Sequence, residues 1–462
     1  MVDGNSDRRF FMSLRTLITQ RIGIDKAIAY TSASRVIQGF TGVASVFFIT
    51  TFLTGVEQGF YYTFGSILAL QVFFELGLTG IMTQYVAHEA SHLKLNENKE
   101  YEGEERYCSR LASLLHFCVK WYGILAILIF VFLILAGNFY FNRYGDNQGE
   151  SVEWRGAWLL ICVATSLNFL LSPLTSILNG LNFVKDTSKI GFWQQIFVPA
   201  CTWIGLASGF KLYVTGIGYL ITAVIWVIYV YKHGLYRILL NLWRVRIVER
   251  VSYLKEIFPY QWRIALSWVS GYFIFQLFNP VLFATEGAIV AGQMGMTMHV
   301  LNALMALTQS WINTKVPRLS ALIARENWQT LDSLFYTTMK QMLTIGSVLM
   351  LCFIVLVYGL QNIEMFVRFG ERFLPMLPLI LMCWACWTMF PINCWATYLR
   401  CHKKEPLLLS SVVVALLCCI STLLGGKLYG LYGIVIGFAC LRFVSLTWIY
   451  SIFKQKKYEW HR

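Results

Sequence analysis

Twelve predominantly apolar stretches recur along this chain, each as long as the roughly 20 residues that carry a helix across a hydrocarbon core. They run approximately over 27–54, 60–87, 108–137, 156–181, 188–209, 212–231, 262–284, 290–314, 333–359, 373–399, 406–426 and 430–453. Backbone polar groups in lipid must be satisfied within each segment, so these stretches read as helices. Composition agrees. A chain of 462 residues that is 57% hydrophobic and 13% charged, with mean hydropathy +0.57, holds more apolar surface than soluble domains hide from water. The expected fold class is an all-α polytopic membrane protein.

The net charge of +14 follows the membrane. Most of the 38 Lys and Arg fall in the tails and in the loops after even-numbered spans, including Lys232, Arg237, Arg244, Arg246, Arg250 and Lys255 in one connection. The opposite side carries Arg143, Arg155, Lys211, Arg368, Arg372 and Lys427. By the positive-inside rule both termini are expected in the cytoplasm, and nucleic acid is not expected as a partner. Residues 1–26 are polar and basic, so the first span is expected to remain as an anchor. Most of the 12 cysteines lie in apolar spans, where small packing residues outweigh redox or metal chemistry.

The chain repeats internally. Gly209-Phe210-Lys211-Leu212-Tyr213 returns as Gly425-Gly426-Lys427-Leu428-Tyr429, Pro173 matches Pro391, Lys185 matches Lys403, and Gly59 matches Gly292. The order is the same in both halves. Two six-helix bundles are therefore expected, related by a pseudo-twofold axis along the membrane normal. The domains read as a basic tail over 1–26, bundles over 27–232 and 261–454, an amphipathic linker over 233–260 and a basic tail over 455–462. In the linker, Leu239, Leu240, Leu242, Trp243, Ile247 and Val251 alternate with arginines, as in a helix lying on anionic lipid.

His88-Glu89-Ala90-Ser91-His92 fits the H-E-x-x-H pattern, in which two histidines one helical turn apart hold zinc and the glutamate activates water. Aligned through Gly59 and Gly292, it falls on residues 319–325, which contain no histidine. The motif thus marks where a long helix leaves the lipid. No metal and no enzymatic role are expected from it.

The opening segment DKAIAYTSASRVIQGFTGVASVFFITTFL and the second span's FELGLTGIMTQYVAHEASHL resemble the polysaccharide transporter family, O-antigen flippase type, of the multidrug/oligosaccharidyl-lipid/polysaccharide (MOP) exporter superfamily. The resemblance extends from about residue 22 to 454. It implies alternating access and movement of a polyprenyl-diphosphate-linked oligosaccharide (an O-antigen, capsule or exopolysaccharide unit) from the inner to the outer leaflet of a bacterial inner membrane. It also implies a monomer among membrane lipids, working beside other glycan-assembly proteins. No cofactor is expected, although coupling to H⁺, Na⁺ or the membrane potential fits such a machine. The same architecture serves cation-coupled multidrug antiporters, and a membrane zinc protease or glycan polymerase or ligase is the more distant alternative.

Embedded charge distinguishes these readings. Of the 24 Asp and Glu, Glu75 lies within an apolar span, whereas Arg35, Lys120 and Arg442 lie at lipid depth and Lys340 nearer a helix end. A helix rise of about 1.5 Å per residue puts Arg35, Glu75, Lys120 and Arg442 at one level, roughly 12–13 Å above the cytoplasmic boundary. Charges at that depth are costly and usually face a wet cavity. Three cations against one anion suit a diphosphate better than a cationic drug. Gln38, Gln71, Asn168, Gln276, Asn302, Gln309 and Asn313 are the expected polar lining of the same route.

Overall fold

A computed structural model of the chain describes residues 26–145, 151–402, 404 and 406–461. The tail over residues 1–25 and the side chains of a few helical residues, Arg35 and Arg263 among them, lie outside the described residues. Its helices are α1 (Lys26–Phe52), α2 (Gly55–Leu68), α3 (Val72–Glu75), α4 (Leu78–Ala90), α5 (Glu105–Tyr144), α6 (Arg155–Gly180), α7 (Val184–Ala207), α8 (Tyr213–Lys232) and α9 (Leu235–Arg244). They continue as α10 (Phe258–Phe275), α11 (Phe278–Thr285), α12 (Ala288–Asn313), α13 (Val316–Ala324), α14 (Trp328–Asn362), α15 (Val367–Gly370), α16 (Met376–Trp387), α17 (Met389–Cys401) and α18 (Leu408–Trp460).

All twelve expected spans are helical. Among the described residues eight helical segments are long and apolar enough to cross a membrane, and α2 to α4, taken together across their bend, meet the same measure. The first span is α1, with its apolar part at Ile37–Phe52, and the fifth is α7. The last two are the arms of α18, which fold back at Gly430, where φ is 56°. Small residues bring these arms together: a methyl group built on Gly425 would lie 2.8 Å from the Gly433 carbonyl oxygen. The bend in the second span, 44°, falls at Leu76 and Gly77, both left-handed (φ 51° and 69°).

Packing follows the repeat. In the first half α1 lies on α7, and α6 on α5 and α8; in the second, α10 lies on α18, and α14, α16 and α17 surround one another and α18. Each half also sends a carboxylate from the turn after its first span to the turn between its last two. Glu57 pairs with Lys211 at 2.8 Å, and Glu286 packs against Gly430. The halves meet chiefly where α12 packs against α1 and α2.

One face of the bundle carries residues 91–104, 233–257, 315–327 and 454–461, and we call it the basic face. Here the linker corrects expectation, because its helix ends at Arg244 and the chain runs on without helix to a short π-helical turn at Tyr253–Ile257. The cause is local. Ser109 Oγ accepts the N–H groups of Val248 and Glu249, and Ser113 Oγ that of Val251, at 2.7–3.1 Å, so α5 takes up donors that a helix would need. The apolar side of α9 is divided: Leu235, Ile238 and Leu242 are buried and α9 packs on α5, while Leu240 and Trp243 stay exposed. A two-residue β-hairpin pairs Lys94 with Glu102 in the preceding loop, and its Lys99 Nζ donates to the carbonyls of His233 and Gly234 at 3.1 Å.

Candidate functional site

The repeat-related glycines Gly59 and Gly292 come together at the face opposite the basic one. A methyl group on Gly292 would lie 2.9 Å from the Gly59 nitrogen, and one on Gly59 would overlap the Ala288 carbonyl. Only hydrogen side chains permit this approach. Polar groups lock it: Gln58 Nε2 donates to the carbonyls of Gly292 (2.8 Å) and Arg372 (3.1 Å), Arg372 Nη2 to that of Leu53 (2.7 Å), and Gln293 Nε2 to that of Glu371 (2.8 Å). Above this seal lies a cavity of about 630 Å³ lined in part by Thr50, Thr54, Gln58, Gln293, Arg368 and Arg372. The two halves are closed against each other at this face.

Within the first half, α2, α6, α7 and α8 enclose a second cavity of about 420 Å³, which α12 of the other half completes with His299. Its polar wall is Tyr61, Tyr62, Asn168, Thr202, Thr215, Tyr219, Thr222 and His299, and none of its lining residues is a carboxylate, lysine or arginine. Tyr62 donates to Met296 Sδ at 3.1 Å, tying α2 to α12. His299 Nε2 is shielded from solvent without a hydrogen-bond partner among the described residues. Such a chamber offers hydroxyls, an amide and aromatic faces, the groups that recognise sugar rings rather than charge.

A third cavity, about 510 Å³, opens at the basic-face end of the second half between α12, α13 and α17. Asn313, Ser320, Thr397, Arg400 and His402 line it.

The charges expected at one level are not gathered at one point. Arg442 is 3% exposed inside the second half, beside the thiols of Cys386 and Cys418 and in contact with Met389 Sδ. Glu75 is partly buried in the first half and accepts a hydrogen bond from Thr79 Oγ1. Lys120 is exposed and shares a face of α5 with the exposed Ile124, Ile127 and Val131, at spacings of four, seven and eleven residues, so it lies on the helix's outward apolar stripe. Lys340 is likewise exposed. The Arg35 side chain lies outside the described residues, so its pairing with Glu75 is untouched. Among the polar residues, Asn168 reaches the second cavity and bridges α6 to α8 through the Tyr219 carbonyl at 2.7 Å. Asn302, Gln309 and Asn313 share one face of α12, Gln38 and Asn302 are exposed, and Gln71 and Gln276 sit at helix breaks. Tyr61, Tyr219, Thr202 and Arg400 were not singled out in the sequence, where nothing distinguishes them from other interfacial aromatics, hydroxyls and loop cations.

Glu89 of the H-E-x-x-H segment is 2% exposed and held at 3.0 Å by Arg110, which also binds Glu249 (3.2 Å) and Glu256 (2.8 Å). His88 is exposed, and His92 stacks on Tyr107 at 4.1 Å. The glutamate thus anchors α4 to Arg110 of α5, and Arg110 in turn ties the linker to both helices. Burial opposes the charge on Glu256, but Arg110 and the Ser252 N–H hold its carboxyl below the usual range.

No family model matches the sequence, and no curated protein matches it. Solved structures do match in fold. The chain is similar to the inward-facing conformation of a multidrug resistance MATE family transporter of the MOP superfamily (TM-score 0.59, 13% identity), over 94% of this chain and 99% of that one. It is similar to an outward-facing conformation of such a transporter (TM-score 0.56, 13% identity) over 96% and 98%. It is also similar to the lipid II flippase MurJ in an inward closed conformation (TM-score 0.60, 15% identity), over 92% of this chain and 87% of that one. At these identities the likeness is one of fold.

Proposed function

We propose that the chain is a transporter of the MOP superfamily that flips a polyprenyl-diphosphate-linked oligosaccharide between leaflets by alternating access, with its basic face in the cytoplasm of a bacterium. The observation that carries this reading is the neutral chamber beside α12: a cavity walled by tyrosines, threonines, Asn168 and His299 suits sugar hydroxyls and has no carboxylate for a cationic drug. The MurJ-like fold and the basic inner loops support it. Arg35, with Arg400 at the mouth of the third cavity, would meet the diphosphate. Cation-coupled multidrug antiport is the second reading, favoured by the MATE-like fold and served by Glu75 alone at mid-depth.

The chamber can be tested without changing its shape. Tyr61→Phe combined with Tyr219→Phe removes two hydroxyls from the wall, and each lost hydrogen bond to substrate is worth about 1 kcal/mol. The pair is expected to lower glycan export about tenfold or more in a flippase-deficient strain, with folded protein unchanged in the membrane. Undiminished export would take the chamber off the substrate route.

A further inference from the structure

The last turn of α18 is fastened to the basic-face ends of α14 and α17 by groups that the transport reading does not use. His402 Nε2 lies 3.2 Å from His461 Nε2, and Tyr398 Oη lies 3.3 Å from the same His461 nitrogen. Tyr398 Oη donates to Asp332 Oδ1 at 3.1 Å, and Lys457 Nζ donates to Asp332 Oδ2 at 2.6 Å. The Trp328 ring stacks on His461 with centroids 4.0 Å apart.

The tautomers follow from the partners. His402 Nδ1 sits 3.0 Å from the Tyr398 carbonyl, which can only accept, so Nδ1 carries the hydrogen and the neutral ring's lone pair is on Nε2. His461 Nε2–H must then be the donor between the rings. A proton added to His402 goes to Nε2, where the contact survives if His461 carries its own hydrogen on Nδ1 and accepts; a second proton sets two N–H donors against each other across 3.2 Å. The bond between the rings therefore needs at least one of them neutral.

We propose that the docking of residues 453–461 onto α14 and α17 is a proton-sensitive latch, closed while at least one of the His402 and His461 rings is neutral and released when both are protonated. The charged and titratable groups facing it among the described residues are Asp332 and Tyr336 from α14, Tyr398, Arg400 and Cys401 from α17, Lys404 from the following turn, and Tyr450, Lys454, Lys456, Lys457, Tyr458 and Glu459 from α18. Lys403, Glu405 and Arg462 lie outside the described residues. Asp332 is the nearest carboxylate and is already engaged by Lys457 and Tyr398, so it offers little to a new imidazolium. Burial pushes His402 below the ordinary imidazole range; the Tyr398 carbonyl opposes this, and Lys404 adds to it. Burial and His402 push His461 the same way, Asp332 opposes, and Lys457 adds to it.

The sign is therefore fixed. Groups whose pKa falls on docking contribute fully above the free value of about 6.5, and the contribution is lost as the pH falls below it. His402 also lines the third cavity, so release alters the wall of that mouth; only this consequence rests on the transport reading.

Hydrogen exchange of the full-length protein in detergent, at about pH 7.5 and about pH 5.5 and corrected for intrinsic exchange rates, reads the latch directly. Residues 453–461 are expected to lose protection at the lower pH, whereas His402→Gln, whose neutral amide can still accept from a protonated His461, should lose markedly less. Unchanged protection in the wild type, or a full pH response retained by His402→Gln, would overturn the latch. Neither result depends on what the protein transports.

Discussion

Gly59→Val is expected to abolish export and to destabilise the folded protein by about 2–3 kcal/mol. The first methyl group added at this position already overlaps the Ala288 carbonyl, and the facing surface is the backbone of α12 rather than a side chain that could turn aside. The overlap is relieved if the halves separate at this face, which also breaks the bonds from Gln58 to the Gly292 and Arg372 carbonyls. Under the proposed alternating access, the protein would be held away from the state in which this face is closed. Gly292→Ala is expected to do the same more mildly, its methyl group meeting the Gly59 nitrogen at 2.9 Å. Thermal unfolding in detergent beside a complementation assay separates the two effects. Normal export by Gly59→Val would show that the seal is not part of the working cycle.

Arg110→Ala is the second large effect. It strands Glu89, 2% exposed, and removes the tie from α5 to Glu249 and Glu256. Breaking a buried pair by deleting one partner costs roughly 3–5 kcal/mol, much of it the stranded charge. Adding Glu89→Gln should recover part of the loss, giving a coupled double-mutant cycle, while His88→Ala, on an exposed side chain, should stay within about 0.5 kcal/mol of wild type. A zinc centre predicts the opposite order, with His88 and His92 decisive and stoichiometric metal found by elemental analysis. In the wild type, the Glu256 part of this stability is present above the ordinary carboxyl value of 4.5 and is lost as the pH falls through the lowered folded value.

The sequence carried the spans and the repeat because both are written along the chain: an apolar run is long enough to cross or it is not, and Gly59 and Gly292 hold matching places. That these glycines touch was not legible in the repeat, which aligns them along the chain but does not say where the two halves meet. The embedded charges show the limit of the same reasoning. Helix rise gives the depth of Lys120 and Arg442, but depth does not give the direction a side chain faces or which helices stand beside it at that level. Lys120 turned to the outward stripe of α5, and Arg442 into the second half. The linker failed differently, since its amphipathic pattern was real over Leu235–Arg244, while beyond it Ser109 and Ser113, far away in sequence, captured the backbone. The chamber beside α12 was hidden for a related reason, because residues from four helices of one half and one helix of the other meet only after packing.

The transport of a lipid-linked glycan is tested most directly by reconstituting the purified protein into vesicles that carry a polyprenyl-diphosphate-linked oligosaccharide. A lectin or glycan oxidase added outside then reports how much glycan becomes accessible. The account predicts protein-dependent exposure of the inner-leaflet glycan, lost in Gly59→Val and reduced in the Tyr61→Phe, Tyr219→Phe pair. Vesicles in which the glycan stays inaccessible, while a cationic dye is expelled in exchange for protons or Na⁺, would contradict it and establish the antiporter instead.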